Sequence, residues 1–264
     1  MKYVKELRAR LIRVTTVLAI MTTFCMTLSI HIHTLYFGNY KIVLPYVNIN
    51  PLNNIAIQTI HTMKSNLLPT NVALIQTEPT EALFAEINVA LLLGLTLVMP
   101  LIIWELIAFV SPALYRYEKK TLKIILVPAI TLFAIGCLFS YFYVIPYLLN
   151  FLYYYGNSMN ISSFFSVQEF APFVMQFMIA FGLSFQLPII MWAITASALV
   201  EPKFWRDNLK YAVLLFVIFG AVITPDGSGI TMWFVAGPML ILYLGGMMIS
   251  ERKNIMSSTI KKPY

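Results

Sequence analysis

Six apolar runs separated by short polar segments organise this chain of 264 residues. They cover about 14–35, 82–109, 122–151, 170–198, 209–223 and 230–249. At about 1.5 Å per helical residue, five of them are long enough to cross a hydrocarbon core of about 30 Å. The fifth is short, since its continuous apolar stretch from Tyr211 to Ile223 reaches only about 20 Å. The pattern predicts an all-α integral membrane protein with six transmembrane helices. Prolines and glycines mark the interruptions. Pro100 lies inside the second run, and Pro128, Gly136 and Pro146 lie inside the third. The third is long for a bilayer, so it should tilt, kink or project. The short fifth run, followed by the turn-forming Thr224-Pro225-Asp226-Gly227-Ser228-Gly229, predicts a locally thinned bilayer beside spans four to six, near Gln186.

The polar segments carry their own signals. Residues 1–13 hold Lys2, Lys5, Arg8, Arg10 and Arg13 before an apolar run too long for an ordinary leader, so a retained first span is expected. On a helix, Lys2 and Arg10 lie one turn to either side of Glu6, and intrahelical pairing is its plain role. Residues 36–80 form the longest segment between spans. Within it, Ile42–Tyr46 and Ile55–Leu68 predict short helices on the outer face, and Thr77-Glu78-Pro79 predicts a helix start with a hydroxyl cap. His31, His33 and His61 are scattered and read as interfacial polar residues, not as a metal site. The loop from Tyr153 to Val167 has no Lys or Arg, and Tyr153-Tyr154-Tyr155 suits an aromatic belt. Inside the spans, Glu86, Glu105 and Gln186 are the notable polar groups. Intramembrane carboxylates are functional candidates, although snorkelling from near the interfaces explains Glu86 and Glu105 almost as well. Gln186 needs a hydrogen-bonding partner at its depth.

Composition sharpens the class and charge sets the orientation. Hydrophobic residues make up 59% of the chain and charged residues 11%, with a mean hydropathy of +0.79. A soluble domain carries about 25% charged residues. The net charge of +7 therefore reflects the positive-inside bias rather than affinity for nucleic acid. Sixteen of the 18 Lys and Arg residues fall in the N-terminal segment, the loops near 110–121 and 200–210, and the tail. Lys41 and Lys64 fall in the segment expected outside. Six spans with both termini cytoplasmic follow, as a single membrane domain over 1–250 and a short basic tail over 251–264. Cys25 and Cys137 lie in apolar runs and predict neither a disulfide nor a metal site.

The loop Phe109-Val-Ser-Pro-Ala-Leu-Tyr-Arg-Tyr-Glu-Lys-Lys120 turns at Ser111-Pro112 and sets Glu118 among three cations. A solvated, paired loop carboxylate is one reading; a receptor carboxylate for a cationic ligand is the other. The order of features along the chain resembles the TatC family, the multispanning subunit of the twin-arginine protein translocase. The likeness is carried by Glu6-Leu7-Arg8-x-Arg10-Leu11, by Pro100, and by Phe109-Val-Ser-Pro-Ala-Leu-Tyr-x-x-Glu118. It continues through Gly136-x-x-Phe139-x-Tyr141-Phe142 with Pro146, Phe181-Gly182-x-x-Phe185-x-x-Pro188, and Thr224-Pro225-Asp226. It spans nearly the whole chain.

The resemblance implies a glove-shaped bundle that binds the twin-arginine signal peptides of folded cargo proteins and uses the proton-motive force. It implies single-span TatA- and TatB-type partners, further copies of the chain within the complex, contact with membrane lipid, and no cofactor. The location implied is a prokaryotic plasma membrane, or an organellar inner or thylakoid membrane. Its signal-peptide-binding positions are Glu6, Leu7, Arg8, Arg10, Phe109, Pro112, Leu114, Tyr115 and Glu118. Its intramembrane polar and partner-contact positions are Glu105, Gln186, Pro188 and Asp226. Many members have glutamate where this chain has Gln186, and some have glutamine where it has Glu105. The chemistry suits the role: a carboxylate is the natural acceptor for a guanidinium fork, and the bidentate geometry favours arginine over lysine. A small-solute secondary transporter is the alternative, but no internal repeat is visible. A membrane enzyme would need catalytic groups gathered at one depth, and the acids and histidines are spread over separate segments.

Overall fold

The computed structural model describes residues 2–37, 40–68, 74–110, 116–159, 165–196, 200–224 and 229–260. These form two compact units: Met1–Glu105 with Leu149–Gln176, and Leu106–Leu148 with Phe177–Tyr264. Among the described residues, five helical stretches are long and apolar enough to cross a membrane, and Leu209–Ile223 is a shorter apolar helix.

The first unit begins with α1, Lys2–Thr27. Its hydroxyls turn inward along the helix: Thr15, Thr16, Thr22, Thr23 and Thr27 each donate to the carbonyl four residues back. Each of these five hydroxyls thus has an acceptor within the helix. The helix does not continue to Leu35, as the apolar run predicts. It gives way at once to β1, Leu28–Phe37, which pairs antiparallel with β2, Tyr40–Ile49. The register runs from Leu28 opposite Ile49 to Phe37 opposite Tyr40. The expected helix at Ile42–Tyr46 is therefore a strand. The physical reason is composition: Ile30, Ile32, Thr34, Tyr36, Phe37, Tyr40, Ile42 and Val43 are β-branched or aromatic, and such residues favour a pleated surface.

The second expected helix is present as α2, Ile55–Leu67. Asn54 starts it by accepting from the Ile57 N–H at 3.0 Å. The same side chain, fully buried, donates to the Met26 carbonyl at 2.9 Å and to Glu86 Oε1 at 2.6 Å. Beyond it, β3, Leu74–Ile75, lies parallel to β4, Phe165–Ser166. Helix α3, Glu81–Val110, begins at Glu81, and its cap is reversed from the hydroxyl cap expected at Thr77. The buried Glu81 carboxylate accepts from the Thr77 N–H at 2.6 Å, from Thr77 Oγ1 at 2.9 Å and from the Glu78 N–H at 3.3 Å. It also accepts from Ser166 Oγ, which ties the start of α3 to β4. The carboxylate satisfies amides of the turn that leads into the helix.

Helix α4, Arg116–Phe139, belongs to the second unit and runs through a π turn at Ser140–Val144 into α5, Ile145–Ser158, which is counted with the first unit from Leu149 on. Pro146 has no N–H to give, and the widened turn, with the Ile145 N–H on the Ser140 carbonyl, accommodates its ring. The apolar part of this rod, Leu126–Ser158, has 33 residues, or about 50 Å, so it outreaches the hydrocarbon core. Next, α6, Val167–Ser184, which belongs to the second unit from Phe177 on, ends in a tight turn at Phe185-Gln186, and α7, Leu187–Ala196, follows. Short α8, Pro202–Asp207, leads into α9, Leu209–Ile223, and α10, Gly229–Ile260, ends the described chain.

Packing in this unit rests on glycine. A Cβ on Gly182 would lie 2.5 Å from the Phe133 ring, and one on Gly136 would lie 2.7 Å from the Phe181 carbonyl oxygen. Helices α4 and α6 thus meet backbone to backbone, as small residues permit in a membrane. Phe139 packs its ring beside Phe181 and Phe185 at the same crossing. At another corner, Tyr243 Oη donates to the Trp205 carbonyl, Trp205 Nε1 donates to Thr195 Oγ1, and Arg206 pairs with Glu251 at 2.9 Å. Exposed apolar side chains such as Val222, Ile241 and Leu97 fit a lipid-facing exterior.

Candidate functional site

The basic start of α1 sets Glu6, Arg10 and Arg13 four and three residues apart, which puts them on one helix face. Arg10 Nη2 donates to Glu6 Oε1 at 2.8 Å, the pairing expected from the sequence. The other arm of the guanidinium reaches a different element. Arg10 Nη1 donates to Glu105 Oε2 at 2.6 Å and lies 3.5 Å from the Glu105 carbonyl oxygen. Arg13 Nη1 donates to the second carboxylate oxygen, Glu105 Oε1. Glu105 is only 5% exposed. It does not snorkel; it is held inside by two arginines from α1. Two cations and several charge-assisted hydrogen bonds offset the desolvation that a buried carboxylate incurs.

Several described side chains of α1 beside these residues are exposed. Leu7 and Leu11 are half or more exposed, and Arg8 also faces outward. The arrangement offers a partly exposed carboxylate, Glu6, beside exposed apolar side chains and fixed guanidinium groups. It suits a ligand that carries cationic groups next to an apolar segment.

The remaining expected site residues fall elsewhere. Phe109 lies in the last turn of α3 and Glu118 in the first turn of α4, and their side chains are outside the described residues. Pro112, Leu114, Tyr115 and Asp226 are also outside the described residues. Gln186 and Pro188 sit at the α6–α7 break. Pro188 cannot donate an amide, and the Gln186 N–H bonds to the Leu183 carbonyl at 2.9 Å. Gln186 Nε2 then donates to the Gly182 carbonyl at 3.4 Å and, across to α4, to the Ala129 carbonyl at 3.0 Å. The amide thus has the interhelical partner that its depth demands. Beside it, Pro128, Thr131, Phe185, Pro188, Trp192 and Ile249 help line an apolar groove of about 590 Å³. Glu86 is held by Asn54 rather than by snorkelling.

Sequence reading passed over Arg13, Asn54, Glu81 and Ser166. Arg13 had a local signal, its helical spacing from Glu6 and Arg10. The other three act through partners far along the chain: Asn54 reaches Glu86, and Glu81 reaches Ser166.

Comparison with known proteins places this geometry in a family. The profile of the family described as Sec-independent protein translocase protein (TatC) matches residues 2–238. The chain is 47% identical over 252 residues to the Sec-independent protein translocase protein TatC of Cenarchaeum symbiosum, covering 96% of this chain and 94% of that protein. It is 34% identical over 190 residues to the protein of that description from Aquifex aeolicus, covering 70% of this chain and 78% of that one. The fold matches a crystal structure described as the twin arginine translocase receptor TatC, with a TM-score of 0.77, 27% identity, and coverage of 94% of this chain and 98% of that one. This chain, a multi-pass integral membrane protein, belongs to the TatC family of Sec-independent protein translocases.

Proposed function

We propose that the chain is the receptor subunit of a twin-arginine translocase, binding signal peptides of folded cargo proteins at its basic face. The observation that carries the reading is the Glu6 carboxylate, partly exposed on α1 and in contact with a guanidinium at 2.8 Å. Glu6 is a built guanidinium acceptor with exposed Leu7 and Leu11 beside it for the apolar part of a peptide. Glu118, in the first turn of α4, is the second carboxylate of this proposal, so that two acids on different elements each take one arginine. In this reading the termini and the loops 110–121 and 200–210 are cytoplasmic in a prokaryotic plasma membrane. Single-span TatA- and TatB-type proteins and further copies of the chain complete the complex. The proton-motive force drives transport, and the chain binds and guides without catalysis of its own.

The test is the affinity of a synthetic twin-arginine peptide for wild type, Glu6→Gln, Glu118→Gln and the double variant at fixed ionic strength. A charge-assisted hydrogen bond contributes about 1.5–3 kcal/mol, so each single change should weaken binding roughly ten- to a hundred-fold, and the double change further. Unchanged affinity for Glu118→Gln or Glu6→Gln in correctly inserted protein removes that residue from the receptor. For orientation, a cysteine at Asn157 should label from outside intact cells, and one at Lys119 should not.

A further inference from the structure

The Glu6 carboxylate is already engaged within the chain. One planar group, the Arg10 guanidinium, spans two carboxylates of unequal burial: Glu6, with its side chain 35% exposed, and Glu105, at 6%. On the inner side Arg10 Nη1 bonds to Glu105 Oε2 at 2.6 Å. On the outer side Arg10 Nη2 bonds to Glu6 Oε1 at 2.8 Å. Arg13 occupies the remaining oxygen of Glu105 and holds that carboxylate in place from a second direction. Letting go of Glu6 therefore breaks one contact of Arg10 and keeps its buried anchor. The group that covers Glu6 is also the chemical group that an arginine-bearing ligand would bring to it.

We propose that Arg10 is an internal surrogate for a ligand guanidinium: it closes Glu6 while no peptide is bound and yields Glu6 to an incoming arginine. Glu105 is the positioning residue, which retains Arg10 during the exchange. The proposal rests on Glu6 being a receptor carboxylate. One guanidinium replaces another, and no proton or covalent bond changes hands. A ligand that binds only the open form has its affinity scaled by the open fraction, whatever cation it carries. The surrogate therefore scales the binding of an arginine-pair peptide and a lysine-pair peptide by the same factor. The ratio between the two belongs to the acceptor geometry itself, which suits a planar fork better than a point charge.

The experiment uses the full-length protein in lipid nanodiscs and two labelled synthetic peptides, one with adjacent arginines and one with adjacent lysines in their place. Arg10→Gln should tighten both by roughly tenfold, the worth of one charge-assisted bond, with their ratio unchanged. Glu105→Gln should weaken both several-fold at constant ratio, because Arg10 then has no carboxylate to retain it when it leaves Glu6. Opposite signs in the two variants separate this from a folding defect, which lowers binding in both. Arg10→Lys keeps a cation for Glu105 without the fork that spans both acids, and should tighten both peptides by a smaller factor, which serves if Arg10→Gln does not fold. Lys5→Gln, an exposed charge on the same helix, controls for overall charge and should change binding by less than about twofold. Weaker or unchanged binding in Arg10→Gln, a shifted ratio, or an equal gain in Lys5→Gln overturns the surrogate and leaves the receptor reading intact. Unchanged binding in Glu6→Gln overturns the receptor reading, and the surrogate with it.

Discussion

In the first unit the buried Glu81 and Glu105 carboxylates each gather donors from remote segments, Ser166 for one and two arginines of α1 for the other. In the second unit the described buried polar side chains are uncharged and mostly local. Ser184, Thr224 and Ser250 bond carbonyls four residues back, and Gln186 bridges to a carbonyl of α4. Cohesion there comes from glycines that let backbones touch. The first unit is fastened by charge and so responds to what binds a charge. The buried interior described in the second is fastened by shape and by uncharged hydrogen bonds. A buried ion pair costs much to break by removing one partner, whereas a tight helix crossing fails by added volume.

The comparison breaks most severely at Gly182. Gly182→Leu must push the Phe133 ring aside, and overpacking of this kind costs about 1–3 kcal/mol even for modest insertions. We expect loss of folded protein in detergent, read by size-exclusion profile and thermal unfolding. A variant that stays folded would show that the α4–α6 crossing can open. Next in size is Gln186→Leu, which removes the side-chain donor to the Ala129 carbonyl and should cost about 0.5–1.5 kcal/mol. Thermal unfolding unchanged from wild type would mean that the interhelical bond contributes nothing. In the first unit, Glu81→Ala removes the acceptor shared by Thr77, Glu78 and Ser166. Faster hydrogen exchange at 77–81 and 165–168 should follow, with little change elsewhere; if only 77–81 responds, the link to β4 is not held by this carboxylate. The smallest effect is on lipid. At 15 residues, α9 is about 22 Å long against a core of about 30 Å. The bilayer beside it should thin by several Å, and depth-dependent quenchers that report an undeformed bilayer there would remove the idea.

Sequence periodicity and composition made the helical class legible, because spans are written in long apolar runs. They showed that Gln186 needs a partner at its depth but read 170–198 as one run, and the break between α6 and α7 came from the structure. The β1–β2 hairpin was misread for a physical reason. Hydropathy reports burial or lipid contact and not backbone form, so Val14 to Leu35 looked like one span although Leu28 onward is strand. The clue was local: β-branched and aromatic residues flank Gly38-Asn39, a dipeptide of the kind that joins hairpin strands. The candidate site was half legible. Glu6 and Arg10 share a turn and could be paired from spacing alone. Glu105 lies 95 residues from Arg10, and nothing in its own neighbourhood distinguishes a carboxylate held by two arginines from one that reaches for the interface.

The far end of α1 has a mechanical consequence. The helix passes into β1 without an intervening residue, and its last turn is pinned: the Asn50 N–H bonds to the Thr27 carbonyl at 3.1 Å, and Asn54 Nδ2 bonds to the Met26 carbonyl at 2.9 Å. A rod fixed this way cannot act as a piston, because axial sliding would tear the hairpin from its strand register. It can act as a lever about Asn54. Arg10 stands 16 residues from Met26, a lever arm of about 24 Å, so a 1 Å displacement at Arg10 needs a tilt of only about 2°. Small movements at the basic end reach the hairpin as rotation, and force applied to the hairpin returns to the charge cluster by the same arm.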